Sequence, residues 1–347
     1  MSKESEAKFE KLGDAVDRLI TLDISVRGAI KVLYDAARSK YGKPLTYLAA
    51  SALRERVGPQ KYVIIGTGLP VRGWISPAIS ETDGPTGAAT LARALYLGFK
   101  AWPMILCEEL ILPVVKAAVR GAGMMILTPE ELEKSKGSLL GVPGVVVQSF
   151  PYDEEKAKVE AVRILDKFNP VAVVSIERVG RNVNGIWHNM KGLDVSKAVA
   201  KFDYLFEDAK NRGIFTMGIG DGGNELGMGG IKEAIRKNIP YGAECQCPCK
   251  GGLAAEFEPD LTMAATVSGW GSWGIEAVLA ALLGKVEVLH SGELEIRSLL
   301  AANSEGCIDG ITGFVEPLED SVPGHVCAGM IETLRFMVNK VLSAGGH

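Results

Sequence analysis

Histidine is scarce, at 4 of 347 residues, and basic side chains are outnumbered by acids, 38 to 42. The charge balance excludes a nucleic-acid binder, because a formal net charge of −4 provides no basic field to gather phosphates. Long apolar runs are missing too. The stretches 110–119 and 277–284 are far short of the ~20 residues that span a bilayer. The N-terminus, MSKESEAKFEKLGDAVDRLI, is charged and helix-patterned, unlike a signal peptide. Low-complexity blocks and repeats of solenoid period are absent. These absences predict a cytoplasmic protein with no membrane partner. A homodimer is expected, since two-fold dimers are the commonest closed assemblies.

Cysteine is sparse but clustered. Cys107, Cys307 and Cys327 are scattered, whereas Cys245, Cys247 and Cys249 form CQCPC. Zinc sites usually use C-x2–4-C pairs with a second pair or histidines, and no histidine lies near in sequence. The spacing favours a reduced cysteine-bearing loop, or a disulfide in an unusually oxidising or thermophilic cytosol, over a structural metal.

What is present is an alternation of apolar runs with helical patterns. Helical periodicity covers 5–20, 26–40 and 45–57, giving an N-terminal helical segment over 1–60. From 61 to 347 the pattern predicts an α/β catalytic domain, a mainly parallel sheet flanked by helices and packed with that segment as one unit. Strands are predicted at 62–68, 101–108, 124–128, 144–150, 171–177, 214–220 and 261–268. Helices are predicted at 87–99, 109–121, 154–168, 196–211, 225–237, 274–284, 293–302 and 325–343. The segment 240–260 is the longest irregular one and a candidate lid or insertion.

Ligands of such sheets bind beyond the carboxyl ends of the strands, where this sequence repeatedly places acids. Glu177 and Asp221 end strands, and Glu81 and Asp83 precede a helix. Asp83 could be an ordinary helix cap, and Glu108 a solvated helix start. Glu177 follows an apolar run and needs a partner, which Arg178 or Arg181 could supply. Asp221 is embedded in GIGDGGNELGMGG, where so much glycine is costly unless something approaches the backbone closely. That loop matches G-x-G-x-x-G but fails the dinucleotide context, since it lies two-thirds along the chain and lacks an acid at the next strand tip. Gly66, Thr67 and Gly68, in a second glycine-rich turn, could hold an anion by backbone N–H groups.

Carboxylates with little histidine or cysteine point to a hard cation, Mn²⁺ or Mg²⁺, with Ca²⁺ possible in principle. The predicted ligands are Asp83, Glu177 and Asp221, with Asn224, Glu225 and Asp309 as further candidates. Arg178 and Arg181 would offset charge in the transition state, and Glu81 or His188 would move protons. Asn184, Lys191, Gly222 and Gly223 complete the expected contacts to a small anionic substrate. On these residues the leading expectation is a Mn/Mg-dependent phosphatase acting on a phosphate monoester.

Three blocks together carry a resemblance: ETDGPTGA (81–88), SIERVGRNVNGIWHNMKGLDVS (175–196) and GIGDGGNELGMG (218–229), followed by VSGWGSWG (267–274) and DGITG (309–313). In these the chain resembles the D-glutamate cyclase-like C-terminal domain family. The family is named for an enzyme that cyclises D-glutamate to 5-oxo-D-proline with loss of water and carries a further N-terminal domain similar to hydro-lyases. The resemblance therefore implies a D-glutamate cyclase as the alternative activity. A non-catalytic, metal-stabilised small-molecule binding module is the third reading.

Overall fold

The computed structural model describes residues 3–24, 26–136 and 141–343. Three helices come first, α1 (Lys3–Ile20), α2 (Ala29–Tyr41) and α3 (Leu45–Arg56). Then β1 (Tyr62–Thr67) leads to α4 (Pro85–Phe99), β2 (Trp102–Cys107) to α5 (Leu112–Gly121), and β3 (Met125–Ile126) to α6 (Pro129–Lys134). The second half runs β4 (Gly144–Ser149), α7 (Glu154–Phe168), β5 (Ala172–Ile176), α8 (Asp203–Asn211), β6 (Phe215–Gly220), α9 (Lys232–Asn238), β7 (Leu261–Ala264) and α10 (Ser268–Leu283). It closes with α11 (Gly292–Ser304), a small hairpin of β8 (Leu318–Glu319) and β9 (Val322–Pro323), and α12 (Gly324–Ser343).

β1 to β7 form one all-parallel sheet in the order β3-β4-β2-β1-β5-β6-β7, as the alternating pattern predicted. The chain leaves β1 towards β2 and returns on its other side at β5, so the order reverses between β1 and β5. Crevices at such reversals, beyond the carboxyl ends, are where open α/β sheets bind ligands.

Successive strand residues serve opposite faces. Val63 and Ile65 of β1 join a core with α1–α5 and α10–α12, whereas Ile64 joins the core under α7 and α8. The N-terminal helices share the first core through Val16, Ile20 and Leu53. Asp17 on α1 accepts the N–H groups of Leu45 and Thr46 at 2.7 and 3.1 Å, satisfying the start of α3 from another helix.

Helix α10 is buried on all sides through Leu282. It begins six residues earlier than periodicity predicted, because its first N–H groups meet a carboxylate brought by tertiary structure. Gly87 of α4 faces Gly269 of α10, where an added Cβ would lie 2.8 Å from backbone. The helix predicted over 196–211 starts only at Asp203. Before it, Glu108 takes the N–H of Ala200 at 2.8 Å, and Lys201 donates to the carbonyls of Ser196 and Val199. The helix predicted over 225–237 is a 3-10 turn (Met228–Ile231) followed by α9.

Candidate acid site at the sheet crossover

The site is built from strand ends. At the tip of β5 the chain turns sharply, with Glu177 in the left-handed region at φ 48°. A glutamate seldom adopts this strained conformation. Its Oε2 accepts the hydroxyl of Ser268 at 2.5 Å. Asp83 follows β1 and lies against the start of α10, where Oδ2 accepts the N–H of Ser268 at 2.8 Å and Oδ1 that of Gly269 at 2.6 Å. It is a helix cap, but of α10 rather than of the helix that follows it in sequence. Asp221, at the tip of β6, accepts Arg27 Nη2 at 2.9 Å. That nitrogen also lies 2.9 Å from Asp320, in the turn between β8 and β9.

One carboxylate oxygen from each of Asp83, Asp221 and Asp320 falls in a group within 4.8 Å of one another, and Glu177, Asp221 and Glu225 form a second such group. Asp221 belongs to both. All are buried. Burial pushes Asp83 and Asp221 up to about 7; Asp320 adds to the shift at Asp83, while Arg27 partly offsets it at Asp221. Glu81, Glu177 and Asp320 are raised well above the usual carboxylate range, by burial first and then by neighbouring acids. Such a cluster is stabilised either by protons or by a cation. Its donors are all carboxylate oxygens, which suits a hard divalent ion. Glu81 Oε1 and Asn224 Oδ1 are buried and lack a hydrogen-bond partner among the described residues.

The glycine-rich loop after β6 cradles an anion of its own. Glu225 accepts the N–H groups of Asp221, Gly222 and Gly223 at 3.2, 2.7 and 2.6 Å. A Cβ on Gly220 would lie 2.6 Å from the Glu225 carboxylate. The close approach that the glycines implied is therefore made by an internal side chain, and the N–H groups of Gly222 and Gly223 are engaged rather than turned to substrate.

Several other predicted residues are placed differently. Arg178 is fully buried and pairs with both oxygens of Glu108 at 2.6 Å, so Glu108 is no solvated helix start. Arg178 also donates to the Gly68 carbonyl, and the Gly66 backbone is packed against the Phe202 ring. The Thr67 hydroxyl of this turn is buried and lacks a hydrogen-bond partner among the described residues. Arg181 pairs with Glu207 at 2.6 Å. Both arginines expected to clamp the substrate are thus engaged with carboxylates of the chain itself. Asp309 accepts the N–H groups of Thr312 and Ser321 at 2.7 and 2.8 Å, holding the turn that presents Asp320, and its charge adds to the upward shifts of Glu81 and Asp320. Asn184 donates to the Cys249 carbonyl, and Lys191 is exposed. His188 lies among the cysteines, with Nε2 3.2 Å from Cys247 Sγ, and does not face the acids as a proton carrier.

Sequence reasoning missed Arg27 and Asp320. Both sit outside the main sheet and reach the site only through tertiary packing. Asp320 and Ser321 form the tight turn of the β8–β9 hairpin, both at positive φ, a conformation that shows only in the folded backbone.

Comparison with known proteins adds two findings. A family model described as D-glutamate cyclase-like, C-terminal, matches residues 16–335. The human protein "D-glutamate cyclase, mitochondrial" is 30% identical over 230 residues, which cover 63% of this chain and 33% of that protein. The match thus spans about one third of the relative's length. No described helix is long and apolar enough to cross a membrane. The cytoplasmic expectation gains no support from a relative whose name places it in mitochondria.

Proposed function

The chain belongs to the D-glutamate cyclase-like C-terminal family, and from that premise we propose that the acid cluster catalyses dehydrative cyclisation of a small amino dicarboxylate, D-glutamate first. The observation that carries this reading is a group of buried acids at the sheet crossover, with Asp83 and Asp221 pushed up to about 7 and Glu81 raised well above the usual carboxylate range. When an ammonium dicarboxylate closes to a lactam and water, nitrogen gives up two protons and the departing carboxyl oxygen receives two. The chemistry therefore needs groups that exchange protons near neutral pH.

Glu81 suits the donor role, since burial and the neighbouring acids raise its carboxyl well above the usual range and its Oε1 has no hydrogen-bond partner among the described residues. Asp83 and Asp221, pushed up to about 7, suit acceptance of the ammonium protons. Arg27 contributes a positive charge beside Asp221 and Asp320. Asp83, Asp221 and Asp320 are also the set that would hold a divalent cation; with it bound they would serve as its ligands instead of proton acceptors, proton exchange would fall to Glu81, and the cation would polarise the carboxyl under attack. Burial of the acids keeps bulk water away from a reaction that expels water.

Hydrolysis of a phosphate monoester draws on the same acids, but no specific observation favours it. The two arginines expected to clamp a phosphate are engaged with Glu108 and Glu207. The family match and the human relative favour the cyclase reading.

The test is incubation of the chain with D- or L-glutamate after chelation and after return of Mn²⁺ or Mg²⁺, with chiral analysis of 5-oxoproline. Formation of 5-oxo-D-proline that Asp221→Asn abolishes is the expected result. No product at any metal loading, with phosphate released from phosphomonoesters, would move the site to hydrolysis. Neither reaction, with thermal stabilisation by metal, would mark a binding module.

A further inference from the structure

We infer that His188, Cys245, Cys247 and Cys249 form a structural zinc site that clips together the two irregular segments beside the acid cluster. The spacing C-x-C-x-C alone argued against metal, and no histidine is near in sequence. The fold supplies one from a residue 57 or more positions away.

The four ligand atoms lie within 4.8 Å of one another. Cys245 Sγ is 3.5 Å from Cys247 Sγ and 3.3 Å from Cys249 Sγ, and His188 Nε2 is 3.2 and 3.6 Å from the sulfurs of Cys247 and Cys249. A tetrahedral ion with ordinary zinc–sulfur and zinc–nitrogen bonds would set S···S edges of about 3.7 Å and N···S edges of about 3.5 Å. The observed edges need only a slight expansion. They are far from the ~2.05 Å of a disulfide, and all three cysteines are free.

Four protein ligands leave no open position, the arrangement of structural rather than catalytic zinc. His188, Cys245 and Cys247 are buried, with Cys249 partly exposed. Cys249 Sγ also receives the N–H of Gly251 and Asn182 Nδ2, both at 3.4 Å. Such donors stabilise a ligating thiolate. A Cβ on Gly251 would lie 2.7 Å from the amide nitrogens of both Asn182 and Asn184 and would displace them.

The site joins residues 177–202 to residues 239–260. Asn182 donates to the Gly252 carbonyl at 2.7 Å, and Gln246 N–H to that of Gly192 at 3.0 Å. The clip also touches the acid site. Asn224 Nδ2 donates to the His188 carbonyl at 2.8 Å, and Met190 packs over Gly222. Metal here would fix the wall of the crevice without entering the chemistry.

The full chain, purified under reductant without chelator, should carry one zinc per chain by elemental analysis, or take up one on zinc addition. A thiol-directed mercurial should release that zinc and lower the melting temperature by about 10 °C or more. Cobalt added to zinc-free protein should give the intense thiolate charge-transfer band of tetrahedral coordination. Cys245→Ser should lose the ion, whereas Asp221→Asn should keep it, which separates this site from the acid cluster and from the proposed activity. If Cys245→Ser fails to fold, mercurial release from the natural chain decides. Less than about a tenth of an equivalent after zinc addition with no cobalt band, or full zinc retention by a folded Cys245→Ser, overturns the site.

Discussion

Arg27 Nη2 donates to Asp221 Oδ2 at 2.9 Å, so a residue from the N-terminal helical region closes the acid site at the tip of β6. The same nitrogen is shared with Asp320. The guanidinium therefore neutralises part of what a cation would otherwise neutralise.

Replacing Arg27 by Gln separates these roles. Without divalent metal the variant should lose about 1–2 kcal/mol of stability, a figure already discounted for the partial exposure of Arg27. Added Mn²⁺ should then raise its melting temperature more than that of the natural chain. Thermal melts with and without metal check both signs. An equal metal response in the two proteins would mean that no cation binds beside Arg27.

Asp221 belongs to both carboxylate groups, so its loss should be felt more widely than that of any other acid. Asp221→Asn should abolish the thermal shift given by Mn²⁺ or Mg²⁺ and reduce turnover by about 100-fold or more. Calorimetric titration of metal into the variant is the direct measurement. Retained binding at natural affinity would exclude Asp221 as a ligand.

Burial and the acids around it raise the Glu81 carboxyl well above its usual range. Glutamine copies the shape of the protonated acid but cannot give up a proton. Glu81→Gln should leave the melting temperature unchanged or higher, while kcat falls about 10²–10⁴-fold. A fall in stability with kcat preserved would assign Glu81 to packing alone.

His290 sits between two buried carboxylates, with Nδ1 2.6 Å from Glu276 and Nε2 2.9 Å from Glu295. Burial opposes its charge, yet Glu276 and Glu295 raise it to about 9. A group whose folded pKa exceeds its unfolded value of about 6.5 binds its proton more tightly in the native state. Its stabilisation, on the order of 3 kcal/mol, is complete below pH 6.5 and is lost as pH rises through 9. Urea unfolding between pH 6 and 10 should show this loss in the natural chain and not in His290→Gln.

Glu108 and Arg178 form a pair with no exposed side-chain surface. Glu108→Ala would leave a buried guanidinium without its carboxylate. The expected loss is about 3–5 kcal/mol in chemical denaturation. Arg178→Met with Glu108→Leu should recover much of it, since an apolar pair of similar volume avoids the desolvation of two charges.

The parallel α/β architecture was legible in the chain, because unbroken apolar runs such as VAVVSI specify strands buried on both faces, and glycines and acids mark their ends. That acids would gather there was legible too, since Glu177 and Asp221 terminate strands whose carboxyl ends must share one edge. Tertiary structure alone decided which polar groups face the crevice. Arg178 and Arg181 read as substrate clamps only until Glu108 and Glu207 came within reach, and an arginine takes whichever carboxylate the fold delivers. Glu225 filled the glycine loop, Arg27 and Asp320 arrived from outside the sheet, and His188 met three cysteines. Each depends on contacts between residues distant in the chain, and local spacing carries no record of which partner burial will force a charge to find.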